Sequence, residues 1–278
     1  MAITAQDVNK LRQMTGAGMM DCKKALQEAD GDFEQAVDIL RKQGQKVAAK
    51  RADNAVSEGT VLVNISADGT KGQIIALACE TEPVSNVEDF KNLAQSILDK
   101  AVADNISDKE TLLSATLADG RTVTENIVDL VGKLGEKLEI VSYANVTADQ
   151  VVSYIHSTGK LGVLVAFDGV NGADVTELGK DVAMQIAAMR PVAVDKDGVD
   201  AATVEREIAV GMEQARAEGK PEAMLEKIAQ GKLGKFYKDN TLLNQEFVKD
   251  SSITIRQLLE KTAKGLTVKS FNRVSIGA

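Results

Sequence analysis

Two distant stretches of this chain follow the same order of elements. Thr60-Val61-Leu62-Val63-Asn64-Ile65 reads as a strand, Ala67-Asp68-Gly69-Thr70 as a turn, and the run from Gln73 to Cys79 as a second strand. Val151 to His156, Ser157-Thr158-Gly159-Lys160 and Leu161 to Phe167 repeat it. Each pair leads into a helical pattern, from about Val87 to Ala103 and from Asp174 to Met189. A constant shift lays Glu88 on Glu177, Lys91 on Lys180, Leu93 on Val182, Ala94 on Ala183 and Ile97 on Ile186. The turn residues suit hairpins, and the apolar residues recur at helical spacing. A strand-strand-helix unit used twice predicts an α+β protein with two related core subdomains, helices covering antiparallel strands.

The remaining segments fit around that repeat. Val123 to about Leu134 is helical and leads to the strand Lys137 to Ser142. Pro191 closes the second repeat's helix. Ala201 to Glu218 and Glu222 to Gln230 then predict a helical hairpin over about 199–233, turned at Gly219-Lys220-Pro221. Such an arm serves as a contact between two copies, as a partner contact, or as packing on its own body. Ser252 to Leu259 reads as a short helix with a serine cap, and Thr267 to Val274 alternates as a last strand.

Ahead of the repeat lies a different kind of unit. Val8, Leu11 and Met14 mark one apolar helix face, with Thr4 as cap and Asp7 near the positive helix end. Thr15-Gly16-Ala17-Gly18 stops that helix, because glycine accepts the left-handed backbone of a tight reversal. Met19, Cys22 and Leu26 line a second helix. Asp32 caps a third, running to about Gly44 with Ala36, Ile39 and Leu40 apolar. Three helices in so short a segment form a small bundle suited to binding. The pair Met19-Met20 either fills its small core or supplies an adaptable partner surface. The divisions are thus 1–45 for the bundle, 46–56 for a linker, 57–145 for the first subdomain and 146–278 for the second with its hairpin.

Composition narrows the function. A net charge of −8 argues against a general nucleic-acid binder, which needs a basic face. No apolar run is long enough to span a membrane, and the N-terminus lacks a signal-peptide pattern, so the expectation is a cytoplasmic protein. The two cysteines, Cys22 and Cys79, make neither a disulfide framework nor a zinc site and read as small buried groups. His156, the single histidine, has no nucleophile beside it and reads as a residue at a strand end. No phosphate-binding glycine loop is present. An enzyme, a metal site and a bound cofactor are all unsupported.

The run Leu11-Arg12 through Thr15-Gly16-Ala17-Gly18-Met19-Met20-Asp21-Cys22-Lys23-Lys24-Ala25-Leu26 resembles bacterial elongation factor Ts, the nucleotide exchange factor of elongation factor Tu. Further matches are Val47-Ala48-Ala49-Lys50-Arg51, Cys79-Glu80-Thr81, Ala183 to Ala188, Gly219-Lys220-Pro221, Lys235-Phe236-Tyr237 and Phe247-Val248-Lys249-Asp250. The likeness spans essentially the whole chain. It implies a three-helix ubiquitin-associated-like domain that docks on the partner's G domain, two related core subdomains and a helical hairpin. It also implies a function without catalysis: binding GDP-bound elongation factor Tu, disturbing its magnesium and phosphate site, and releasing GDP so that GTP can bind. Leu11, Arg12, Gly16, Gly18, Met19 and Met20 fall in the implied docking segment. Gln185 stands where some members carry a histidine thought to touch the partner.

In the family, a loop reading Thr-Asp-Phe-Val enters the partner near its magnesium. This chain reads Thr81-Glu82-Pro83-Val84. Glu82 keeps the charge on a longer stem, and Pro83 lacks the ring. Proline fixes its own backbone and biases Glu82 toward an extended conformation. Two expectations follow. In one, Glu82 still perturbs the magnesium site while Pro83 stiffens the loop. In the other, the chain is a GTPase-binding adaptor with weak or no exchange activity.

Overall fold

The computed structural model describes residues 3–277. Its centre is two three-stranded antiparallel sheets. The first joins β1 (Glu58–Ile65), β2 (Lys71–Cys79) and β3 (Leu138–Thr147), with β2 in the middle. The second joins β4 (Gln150–Ile155), β5 (Leu161–Asp168) and β8 (Thr267–Ser275), with β5 in the middle. The repeat thus extends to a third strand. Even the register slip recurs, at Ala76/Leu77 against β3 and at Ala166/Phe167 against β8.

Both middle strands are buried on both faces, as their unbroken apolar runs require. Alternate side chains of β2 (Ile75, Leu77 and Cys79) meet Phe90, Ala94 and Ile97 of helix α5 (Glu88–Ala103). Alternate side chains of β5 (Val163, Val165 and Phe167) likewise meet Val182, Ala183 and Ile186 of helix α8 (Thr176–Met189). The opposite faces pack on each other through Ile74, Ala76, Ala78, Leu164 and Ala166. Gly162 permits that approach: a Cβ there would lie 2.6 Å from a methyl of Val61. Helices α6 (Lys109–Ser114) and α7 (Val123–Leu134) complete the first core.

The elements that follow α8 differ from the sequence expectation. The hairpin is α9 (Ala201–Ala217) and α10 (Glu222–Asn240), so its second arm continues past Gln230 through Gly231 and Gly234. Those glycines face open space, while Leu225, Ala229 and Leu233 form a buried i, i+4 seam that carries the helix on. Gly211 of α9 lets the arms close, since a Cβ there would sit 3.1 Å from the Ala229 backbone. Next come β6 (Glu246–Phe247), β7 (Asp250–Thr254) and α11 (Ile255–Thr262). The cap of α11 is Thr254, and Ser252 belongs to β7. Thr254 N–H donates to Gln257 Oε1 at 2.9 Å, and Gln257 N–H donates back to Thr254 Oγ1 at 3.3 Å. That reciprocal box outweighs a lone serine.

The N-terminal bundle consists of α1 (Ala5–Thr15), α2 (Met19–Glu28) and α3 (Phe33–Lys50). Thr4 caps α1 in a reciprocal box with Asp7, and Asp32 caps α3. Gly16 ends α1 in the left-handed conformation at φ 69°. Val8, Leu11, Cys22, Ala25, Leu26, Ala29 and Ala36 form the core. Met14 was expected there but is 59% exposed. Helix α3 does not stop near Gly44; it continues through the expected connection to Lys50. Gly44 is buried where α3 crosses α7, and a Cβ on Gly132 of α7 would lie 2.8 Å from its Cα. Val47 and Ala48 then pack on the first subdomain's core, which holds those turns helical.

Candidate partner-binding site

Strand β2 ends at Cys79 opposite Leu138, and the chain then leaves the sheet. Thr81 is extended, at φ −129° and ψ 153°. The next residues, expected as a loop, form a single helical turn, α4 (Glu82–Ser85). Glu82 is therefore helical, not extended as the following proline would favour. Its carbonyl accounts for this, accepting from Ser85 Oγ at 2.7 Å, Asn86 N–H at 3.3 Å and Asn86 Nδ2 at 3.3 Å. Pro83 is tolerated in a first turn, where its missing N–H has no helical partner to lose.

Thr81, Glu82 and Pro83 are exposed, whereas Val84 is turned inward and buried in the first core. The turn thus presents a carboxylate and a proline ring on an apolar anchor. Its base is held by two carboxylates. Glu80 accepts from Arg51 Nη1 at 2.8 and 2.9 Å, from Asn54 Nδ2 at 2.9 Å and from Lys137 N–H at 2.6 Å. Burial alone would push its carboxyl up, but the Lys137 N–H, the Arg51 and Asn54 hydrogen bonds and the Arg51 charge together hold it below the ordinary value. Glu136 accepts from Thr81 N–H at 3.0 Å and from Thr81 Oγ1 at 2.6 Å. The sequence assigned none of these roles, because Thr81 and Glu136 are 55 residues apart.

The other expected contacts divide. Arg12, Gly16, Gly18, Met19 and Met20 are exposed. Met19 and Met20, at 55% and 62%, do not fill the core and, like Met14, are exposed on the bundle. Leu11 is fully buried, so its place in the signature is as packing. Gln185 is also fully buried and is not offered to a partner. Its amide spans a local network, donating to Gln245 Oε1 at 3.1 Å and to the Glu246 carbonyl at 3.1 Å, and accepting from Val248 N–H at 2.9 Å.

Both cysteines are buried. Burial pushes the Cys79 thiol up to about 12, with nearby Glu136 adding to the rise, and its Sγ donates to the Thr81 carbonyl at 3.3 Å. His156 is exposed beyond β4, with Nδ1 2.8 Å from the Tyr154 hydroxyl. Among the described residues, no group of three His, Cys, Asp or Glu side chains is placed to hold a metal ion, and no helix is long and apolar enough to cross a membrane. What this arrangement offers chemically is surface recognition: a braced acidic turn and a methionine-bearing bundle.

Comparison with known proteins shows the family. The family described as Elongation factor TS matches residues 80–278, a span that includes the turn. Elongation factor Ts of Cytophaga hutchinsonii is 65% identical over 274 residues, covering 99% of each chain. That of Amoebophilus asiaticus is 55% identical over 278 residues, covering each chain fully. That of Porphyromonas gingivalis is 48% identical over the same length.

Proposed function

The chain belongs to the elongation factor Ts family of translation elongation factors, and from that premise we propose that it binds GDP-bound elongation factor Tu and promotes GDP release so that GTP can bind. The observation that carries this reading is the turn. Glu82 and Pro83 stand exposed beyond the buried end of β2, on a buried Val84, with the preceding residue tied by two hydrogen bonds. A carboxylate so held can compete for the surroundings of a magnesium ion, and a proline-stiffened backbone loses little freedom on insertion. The exposed Met14, Met19 and Met20 of the N-terminal bundle are assigned to docking, because methionine adapts to a partner's contour. The hairpin is left to a contact between copies or with the partner. The site of action is taken as the cytoplasm, with neither nucleic acid nor membrane as a direct ligand.

Exchange of this kind is a thermodynamic coupling as much as a structural one. A factor that prefers the nucleotide-free GTPase must weaken nucleotide binding by the same factor by which nucleotide weakens its own. Release of labelled GDP in the presence of Glu82→Ala tests the turn. A maximal rate well below the parent's is expected, and a rate equal to the parent's contradicts the role given to Glu82. Pro83→Phe places an aromatic ring at the tip and is expected to raise the maximal rate.

A second reading is favoured by one observation. Pro83 buries far less surface than an aromatic ring would, so the wedge is small. On that reading the chain is an adaptor that holds the GTPase without accelerating exchange.

A further inference from the structure

The turn that carries Glu82 and Pro83 is too short to hold its own direction. Its backbone closures are long: Ser85 N–H to the Thr81 carbonyl and Asn86 N–H to the Glu82 and Pro83 carbonyls, each at 3.3 Å, with Val87 N–H to the Val84 carbonyl at 3.1 Å. A lone turn fixes several dihedrals for few hydrogen bonds and is unstable by itself. Thr81 occupies the cap position, where a threonine usually accepts from its own helix, yet its hydroxyl makes no cap bond. It donates instead to Glu136, as does its backbone N–H.

Across the same strand ends the pairing is returned. Glu80, adjacent to Thr81, accepts from the N–H of Lys137, adjacent to Glu136. Two carboxylates therefore exchange partners just beyond the last paired residues, Cys79 and Leu138. The Glu136 side is set by the left-handed Gly135, φ 73°, which ends α7 and turns the chain into β3. The Glu80 side is fastened to Arg51, the residue that ends α3. The long helix of the N-terminal bundle thus terminates at the base of the turn.

We propose that Glu136 and Arg51 are positioning residues for the Glu82–Pro83 turn, fixing through Thr81 and Glu80 the direction in which it meets the GTPase. This rests on the reading of the turn as the acting element in GDP release. Neither residue need touch the partner. Charge-assisted hydrogen bonds to a carboxylate are stronger than neutral ones, and here two converge on one residue.

Two measurements on the full chain test this: amide hydrogen exchange at Thr81 by NMR, and GDP release from the GTPase as a function of factor concentration. In Glu136→Ala, Thr81 is expected to exchange at least about tenfold faster, and the maximal release rate to fall about tenfold, because two hydrogen bonds are lost. The half-saturating concentration should stay within about twofold, since docking through the bundle is untouched. Glu136→Gln keeps one acceptor oxygen and should lie between parent and alanine variant in both readouts. Arg51→Ala should move both in the same direction. Unchanged Thr81 exchange, or an unchanged maximal rate in folded Glu136→Ala, overturns the proposal, as does a change confined to half-saturation. Should the alanine variant fail to fold, Glu136→Gln carries the same two readouts with the same signs. A parent protein that fails to accelerate GDP release contradicts the exchange reading alone, because Thr81 exchange still reports whether Glu136 holds the turn.

Discussion

At the scale of single residues, a few side chains carry consequences that can be measured. Glu80 is held below its ordinary carboxyl value, so the native state gives up this proton more readily than the unfolded chain. Its stabilisation is complete above the ordinary value of 4.5 and is lost as the pH falls through the lowered value. Glu80→Gln should therefore flatten the acid limb of a plot of Tm against pH; an unaltered limb would show that Glu80 does not couple protons to folding. Gly59 makes a different demand. It adopts φ 145°, and a Cβ there would collide with the Leu77 carbonyl and lie 2.7 Å from Ala78 Cα. Gly59→Ala is expected to cost about 2–4 kcal/mol in denaturant unfolding, from backbone strain and overpacking together.

Among elements, the crossing of α3 and α7 decides how the N-terminal bundle meets the core. Gly44 and Gly132 allow the two backbones to approach, and no side chain fits between them. Gly132→Leu should push α3 away, speeding amide exchange over residues 44–50 while leaving α5 and α8 protected. Protection of 44–50 equal to the parent's would show that the crossing is not needed to hold that segment. Gln185 is the corresponding device in the second subdomain. Replacing it with leucine strands the Val248 N–H beside the Gln245 and Glu246 acceptors, at a cost of about 2–3 kcal/mol in unfolding free energy. This is also where sequence reasoning reached its limit. Helix ends were legible where a local box or cap sets them, as at Thr4 and Asp32. They were misplaced where tertiary packing sets them, as at Gly44, which resembles a stop signal yet lies within a crossing. The turn at Glu82 was misread for a related reason: the preference of a residue before proline is weaker than the three donors that converge on its carbonyl.

In the molecule as a whole, the duplicated strand-strand-helix unit was legible because the same order of apolar runs, glycine-bearing turns and a helix recurs in both copies. The packing of the two sheets face to face was not, since strands buried on both faces lose the alternation that would show which side meets which. The brace around the turn was illegible for a simpler reason: Arg51, Thr81 and Glu136 are brought together only by the fold. Cys79 sits where α5 closes over the first sheet, and its thiol, raised by burial to about 12, stays neutral at ordinary pH. Labelling of Cys79 should accordingly follow global unfolding; rapid labelling in native buffer would mean that the first subdomain opens locally. On the proposed function, this fold delivers a braced acidic turn to a GTPase and thereby loosens its nucleotide. Stopped-flow release of labelled GDP from elongation factor Tu, with and without this protein, tests it most directly. A saturable acceleration of release is predicted, and complex formation with an unchanged release rate would contradict it.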